Sequence, residues 1–136
     1  MAALLAHYSR RFLYLKILRC TLVAGALYDL AFAALLLWVP GVPASVLDLP
    51  LPGEPFYLWV MAVLLGMVAA CCALAAHDLR RYGGIIAVAI AGRLAGALVM
   101  AVAAAGRADL GGLYWLAGVD ALFGLSHAAC WWPVRS

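Results

Sequence analysis

The chain has 136 residues, of which 69% are hydrophobic and 11% are charged. Soluble domains carry about 25% charged residues and at most about half apolar ones, so this composition excludes an ordinary water-soluble globule. The net charge is only +3, which argues against a phosphate-binding surface and against nucleic acid as a partner. The composition therefore predicts an all-α integral membrane protein whose first partner is the lipid bilayer.

The chain begins with a basic segment, residues 1–19, that precedes the first hydrophobic stretch. This segment mixes apolar side chains with four basic residues: Arg10, Arg11, Lys16 and Arg19. We expect it to form an interfacial helix or a cytoplasmic extension of the first span, held to anionic lipid. The first predicted span follows at residues 20–39, and its length suits a hydrocarbon core about 30 Å thick.

The loop at residues 40–55 holds five of the six prolines, two acids and several apolar side chains. An apolar loop of this length is not expected to extend into water. Two interpretations remain open. The loop is either a stiff connector that lies flat on the outer membrane surface, or a cap over the mouth of the helices that meets a partner.

Three further hydrophobic stretches follow the loop, at residues 56–76, 85–105 and 113–132, with a short tail at 133–136. Lys and Arg cluster before the first span, between the second and third, and at the chain end, whereas the other two loops hold only Arg107. Because basic residues favour the cytoplasmic side, both termini are predicted to be cytoplasmic. Residues 20–132 thus form a predicted four-helix bundle. The Ala/Leu/Arg-rich composition indicates a bacterial protein, for which the inner (plasma) membrane is the predicted location and a more specialised internal membrane is the alternative.

Three ionisable acid or base side chains fall well inside the predicted spans: Asp29, Arg93 and Asp120. Counted from the cytoplasmic span ends, they lie at depths of about 13, 12 and 18 Å. A lone charge near the bilayer centre costs at least about 2.5 to 3.5 kcal/mol, so we expect Arg93 to reach one or both carboxylates. The cluster is either a structural clasp that fixes helix register, or a proton, ion or ligand site, because two acids against one base leave an unbalanced charge.

Other candidate residues lie close to this cluster. His127 follows Asp120 by seven positions and shares its helix stripe, so it is interpreted as a hydrogen-bond partner for a neighbouring helix or as part of a proton path. Gly92 and Gly96 form a GxxxG pattern around Arg93 and, with Gly124, predict close helix packing within the bundle or in an oligomer.

Catalytic and metal motifs are missing from the sequence. The four cysteines lie in the cytoplasmic thirds of the predicted spans, which argues against disulfides and against a thiol oxidase that works on the oxidising side. Neither a CxxC pair nor a repeated ligand spacing is present, so we predict no metal and no cofactor. Without a nucleophile–base pair or a nucleotide motif, an enzymatic role is not favoured.

The motifs Tyr28-Asp29-Leu30, Arg80-Arg81 and Gly92-Arg93-Leu94 give the chain a layout that resembles small bacterial four-helix membrane proteins of the DoxX-like kind. That resemblance implies fold and location, and no uniform activity. Small multidrug exporters share the helix count and an acid in the first helix, but this chain is longer and places Arg93 where it compensates the acid.

The favoured functional hypothesis is a non-enzymatic accessory or scaffolding subunit of a larger membrane complex. Its partners would be other membrane-protein subunits or a second copy of the chain. One alternative is a small proton-coupled, ion or small-molecule carrier that acts as an oligomer through the charged cluster. A further alternative is a lipid-binding or lipid-modifying membrane protein.

Overall fold

The computed structural model describes the backbone of residues 2–135 and the side chains of residues 9–135. Within these residues every regular element is helical and no strand is found, which confirms the predicted all-α class. The α-helices are α1 Ala2–Trp38, α2 Gly41–Leu47, α3 Pro55–His77, α4 Gly83–Gly106 and α5 Leu113–Trp131. Short 3₁₀ turns occupy Ala108–Leu110 and Trp132–Val134.

Three helices are long and apolar enough to cross a membrane: the Ser9–Trp38 part of α1, all of α3 and all of α4. This agrees with a membrane protein. The fourth predicted span, 113–132, corresponds to α5, which is not among the three. Helix α5 has 19 residues and includes Asp120, Ser126 and His127, and these polar side chains lower its mean hydropathy. By length and composition, the described part of the chain therefore shows three candidate spans, and a fourth span at α5 stays a prediction.

The helix boundaries follow the expected local signals. The backbone of residues 2–19 is continuous with the first span, because α1 contains no proline and only one glycine, Gly25. Helix α3 begins with Pro55 at its first position, where the missing N–H costs no helical hydrogen bond. At the α3–α4 turn, Asp78 Oδ1 accepts hydrogen bonds of 3.1 Å from the main-chain N–H groups of Arg80 and Arg81. These bonds hold the pKa of the Asp78 carboxyl below its ordinary value.

The long helices pack in a definite order. Helix α1 packs mainly on α3, α4 packs mainly on α5, α5 also contacts α1, and α3 touches α4 more lightly. In the described residues, the backbones of α1 and α4 do not approach each other comparably, so these two helices lie diagonally across the interior. Most of the buried core consists of small side chains, which let helices approach closely. The main cluster comprises Leu18, Leu22, Ala26, Ala69, Cys72, Ala75, Ala76, Ile86, Ala89 and Cys130.

The proline-rich loop covers the end of the molecule at which α1 ends and α5 begins. It contains α2, after which Asp48 adopts the left-handed conformation with φ 50°. The main-chain oxygen of Leu47 lies so close to Gly112 that a Cβ at position 112 would collide with it. Only glycine therefore allows the loop to pack on the α4–α5 turn.

Candidate functional site in the helix interior

A single arginine joins three helices. Arg93 of α4 donates from Nη2 to Asp29 Oδ2 of α1 at 2.5 Å and from Nη1 to Asp120 Oδ1 of α5 at 2.5 Å. The planar guanidinium presents its donors in a fixed fork, which is why one side chain serves two carboxylates on different helices. The structure thus brings together the three ionisable residues that the sequence placed at similar depth. We refer to Asp29, Arg93 and Asp120 as the charge cluster.

Burial is unequal within the charge cluster. Asp29 is 0% exposed and Arg93 is 5% exposed, whereas 22% of the Asp120 side chain is exposed. Asp29 Oδ1 and Arg93 Nε have no hydrogen-bond partner among the described residues. A buried polar atom without a partner is costly, so the Asp29 side of the cluster is the less satisfied side. The cluster also carries a formal excess of one negative charge when both acids are ionised.

Aromatic rings lie on one side of the guanidinium. The Cζ atom of Arg93 lies 5.1 Å from the ring centre of Phe123, within the range of a cation–π contact. The Phe123 ring lies 5.9 Å from that of Tyr28, and Tyr28 stacks on Phe32 at 6.1 Å. Tyr28 was not among the predicted site residues, although it directly precedes Asp29. These rings exclude water from one side of the cluster and so strengthen its electrostatic interactions.

The glycines around the cluster have different roles. A Cβ at Gly124 would lie 2.9 Å from Leu94 Cδ2 and 3.2 Å from Arg93 Cβ, so this glycine permits the close approach of α4 and α5. A Cβ at Gly96 would lie 3.4 Å from Asp120 Oδ2. Gly92 has nothing within 4 Å of its Cβ position. The two glycines of the GxxxG pattern therefore have different surroundings: Gly96 borders the charge cluster, and Gly92 faces open space.

His127 lies beside the charge cluster but is not hydrogen-bonded to it. Its ring is fully buried, 6.0 Å from the ring of Phe123, and neither ring nitrogen has a hydrogen-bond partner within the described region. The ring lies near the main chain of Thr21 on α1. The structure thus places His127 at an α1–α5 contact, with Phe123 touching both His127 and Arg93.

A cavity of about 480 Å³ between α3 and α4 leads to the charge cluster. Asp29, Arg93 and Asp120 all line it, and its walls are otherwise mostly apolar. Leu64, Met67 and Val88 line its outer part and are 52%, 60% and 72% exposed, so the cavity opens onto the outer surface of the helices. The sequence did not reveal this opening, because α3 carries no charged group near the cluster and is apolar on all sides.

The described thiols do not form a metal centre. Cys72 and Cys130 are buried, Cys20 and Cys71 are exposed, and all four are free. Within residues 9–135, no group of three His, Cys, Asp or Glu side chains is placed to hold a metal ion. The buried Cys72 of α3 lies within electrostatic range of Arg93, and it therefore belongs to the surroundings of the charge cluster.

Comparison of this chain with models of protein families, with curated proteins and with solved structures found no match. The DoxX-like resemblance therefore stays a prediction. What the chain does has to be inferred from the geometry of the charge cluster and of the surfaces around it.

Proposed function

We propose that this chain is a non-enzymatic protein of the bacterial inner membrane and an accessory or scaffolding subunit of a larger membrane complex. Its four long helices form a transmembrane bundle held in register by the charge cluster. One observation carries the proposal: a 5% exposed guanidinium binds carboxylates on two other helices at 2.5 Å each. In lipid, helices gain little from hydrophobic packing against one another, so a polar contact of this kind determines which faces meet.

The proposal requires α5 to cross the membrane as the fourth span. With 19 residues, α5 is about 28 Å long, close to a hydrocarbon core of about 30 Å. Helix α5 packs along α4, and Asp120 of α5 pairs with Arg93. Arg93 lies near the middle of α4, which is itself a candidate span. The least apolar side chain of α5 is thus neutralised by a neighbour, which lowers the cost of burying α5 in lipid.

Charge at the two ends of the helices supports an orientation with both termini in the cytoplasm. One end carries seven of the nine basic residues: Arg10, Arg11, Lys16, Arg19, Arg80, Arg81 and Arg135. The opposite end carries Asp48, Glu54 and the Arg107–Asp109 pair. Lys and Arg accumulate on the cytoplasmic side of bacterial membranes, so the basic end is assigned to that side.

A scaffolding role fits a cluster whose cation is already occupied. Arg93 has a carboxylate on each terminal nitrogen, so its strongest donors serve the fold and not a substrate. Large apolar side chains cover the outside of the helices, among them Leu98, Val99 and Leu122, which are 65%, 67% and 66% exposed. Such surfaces suit lipid, other membrane subunits or a second copy of the chain.

Purification from membranes in a mild detergent tests the scaffolding role. We expect the tagged wild-type chain to bring down larger membrane proteins in fixed proportion. The Arg93→Ala variant should lose them, while Arg107→Ala, which changes an exposed pair at the opposite end, should keep them. Recovery of the wild-type chain only as a monomer or homo-oligomer would contradict the accessory role.

A small carrier for protons or cationic molecules is the second candidate, favoured by the cavity that reaches the charge cluster from the side. Two acids and one base attract a cation or a proton there. The carrier requires flux in proteoliposomes that Asp29→Asn abolishes while the protein stays folded. Gly92→Phe should block the cavity, whereas Gly118→Phe is a matched control, because both glycines have open space at Cβ and Gly118 does not line the cavity. Flux equal to that of empty liposomes would exclude this function.

A further inference from the structure

The cavity between α3 and α4 combines apolar walls with an excess of negative charge. Among the described residues that line it, only Asp29, Arg93 and Asp120 are charged, so it carries an excess of one negative charge when both acids are ionised. The rest of the lining consists of apolar side chains, glycines and the thiol of Cys71. Along α4 the lining runs from Gly84 to Arg93, which corresponds to about 14 Å. The cavity is therefore long and apolar, with an anionic inner end.

Each carboxylate at this inner end keeps one oxygen that the described residues do not use. Arg93 donates to Oδ1 of Asp120 and to Oδ2 of Asp29. Within the described region, Asp29 Oδ1 has no partner although Asp29 is 0% exposed, and Asp120 Oδ2 accepts no hydrogen bond. Because 22% of the Asp120 side chain is exposed, a molecule in the cavity can reach it. The inner end therefore fits a ligand group that brings a positive charge and N–H donors.

We infer that this cavity binds the ammonium group of a single-chain amphipathic amine, whose alkyl chain lies against the apolar walls. The ammonium group contacts Asp120 and balances the excess charge of the cluster, which a neutral headgroup does not do. The alkyl chain reaches the lipid through the opening lined by Leu64, Met67 and Val88, so entry needs no water-filled path. An aminophospholipid fits less well, because its phosphate would bring a further negative charge to the carboxylates.

Thiol alkylation of the full chain in phosphatidylcholine nanodiscs tests the inference, because Cys71 is exposed and lines the cavity. Dodecylamine, which is protonated at about pH 7, is compared with dodecanol at equal amounts per mole of lipid. Peptide mass spectrometry follows the reaction of each cysteine with N-ethylmaleimide. We expect the amine to protect Cys71 at about tenfold lower concentration than the alcohol. Cys20 is the matched control, because it is exposed but does not line the cavity, and neither probe should change its labelling.

A substitution at Asp120 separates charge from apolar fit. Asp120→Asn removes the excess charge and leaves the cavity the same size, so the advantage of the amine over the alcohol should disappear. Asp109→Asn is the matched control, because it removes a carboxylate that does not line the cavity and should leave the advantage unchanged. Slow labelling of the buried Cys72 and Cys130 shows that a variant is folded. If Asp120→Asn does not fold, the comparison of the two probes on the wild type still decides.

Three results would overturn the inference: equal protection of Cys71 by the two probes, equal protection of Cys71 and Cys20 by the amine, or an unchanged advantage of the amine in folded Asp120→Asn. The first would assign the cavity to neutral lipid chains, the second would mean that the amine acts on the membrane as a whole, and the third that the charge cluster does not bind the amine.

The inference rests on the transmembrane bundle proposed above, and it deepens the carrier candidate by naming a ligand and its route of entry. Partner recovery in detergent and flux in proteoliposomes are measured separately from thiol protection. A chain that brings down partners or carries flux but shows no preference for the amine therefore fails only here.

Discussion

Two arginines of this protein contact carboxylates at the same distance but in opposite surroundings. Arg93 reaches its carboxylates at 2.5 Å in the helix interior, and Arg107 reaches Asp109 at 2.5 Å at one end of the molecule. The Arg107 and Asp109 side chains are 62% and 54% exposed, so water can replace either partner. Arg93 is only 5% exposed, so water cannot replace its carboxylate partners in the same way. Burial, and not distance, therefore decides which ion pair the fold depends on.

Removal of the buried cation should have the largest effect. Arg93→Ala leaves two carboxylates inside the helices without a counter-charge, and we expect it to destabilise the protein by about 3 to 5 kcal/mol. The midpoint of unfolding in mixed detergent micelles measures this loss. If the variant does not accumulate, Arg93→Met combined with Asp29→Asn and Asp120→Asn should restore folded protein, because no buried charge remains. An unchanged midpoint for Arg93→Ala would show that the cluster is not a clasp.

The two carboxylates should differ, because they differ in burial. Asp29→Asn removes a charged hydrogen-bond acceptor at a fully buried position, and we expect a loss of about 1.5 to 3 kcal/mol. Asp120→Asn should cost less, because 22% of the Asp120 side chain is exposed and it lines the cavity, so the amide can turn without displacing packed neighbours. The same unfolding assay compares the two variants side by side. An equal or larger loss of stability for Asp120→Asn would mean that burial does not decide which carboxylate contributes more to the stability of the fold.

A change in backbone spacing tests the buried contact without altering any charge. Gly124→Ala places a methyl group against Leu94 and Arg93 Cβ, which we expect to push α4 and α5 apart and to cost about 1 to 3 kcal/mol. Gly118→Ala on the same helix meets no atom within 4 Å and should leave the unfolding midpoint unchanged or slightly raised. Equal effects of the two substitutions would show that Gly124 does not control the approach of the helices.

The exposed pair should give the smallest effect. Arg107→Gln is expected to leave the unfolding midpoint unchanged, because both partners stay hydrated. The Arg107 guanidinium holds the pKa of the Asp109 carboxyl below its ordinary value. The contribution of this pair to stability, which is too small to move the midpoint, is therefore present above the ordinary pKa and is lost as the pH falls through the lowered pKa. In the variant this pKa should rise toward the ordinary value, which carbon-13 NMR titration of Asp109 can follow. If the Asp109 pKa stays low in Arg107→Gln, a group other than Arg107 lowers it.

Much of the fold follows from local patterns in the sequence. The predicted spans 56–76 and 85–105 match α3 and α4 to within two residues at each end, because hydropathy and Pro or Gly punctuation act locally. The first predicted span ends at residue 39 and α1 ends at Trp38. The similar depths of the three buried ionisable residues also followed from counting along the helices. The predicted span 113–132 also coincides with α5, but the crossing of this helix stays a prediction, because α5 is not among the helices that length and composition mark as candidate spans.

The sequence by itself determined the all-α class of this protein and its long apolar helices. It also determined that Arg93 needs a carboxylate as partner, because an unpaired charge inside the helices is costly. Only the tertiary structure decided that both carboxylates bind it, and that Gly92 faces a cavity while Gly124 faces a helix. The physical reason is rotation about the helix axes. Helices that are apolar on all sides carry almost no signal of which face turns inward, so packing between small side chains makes that choice.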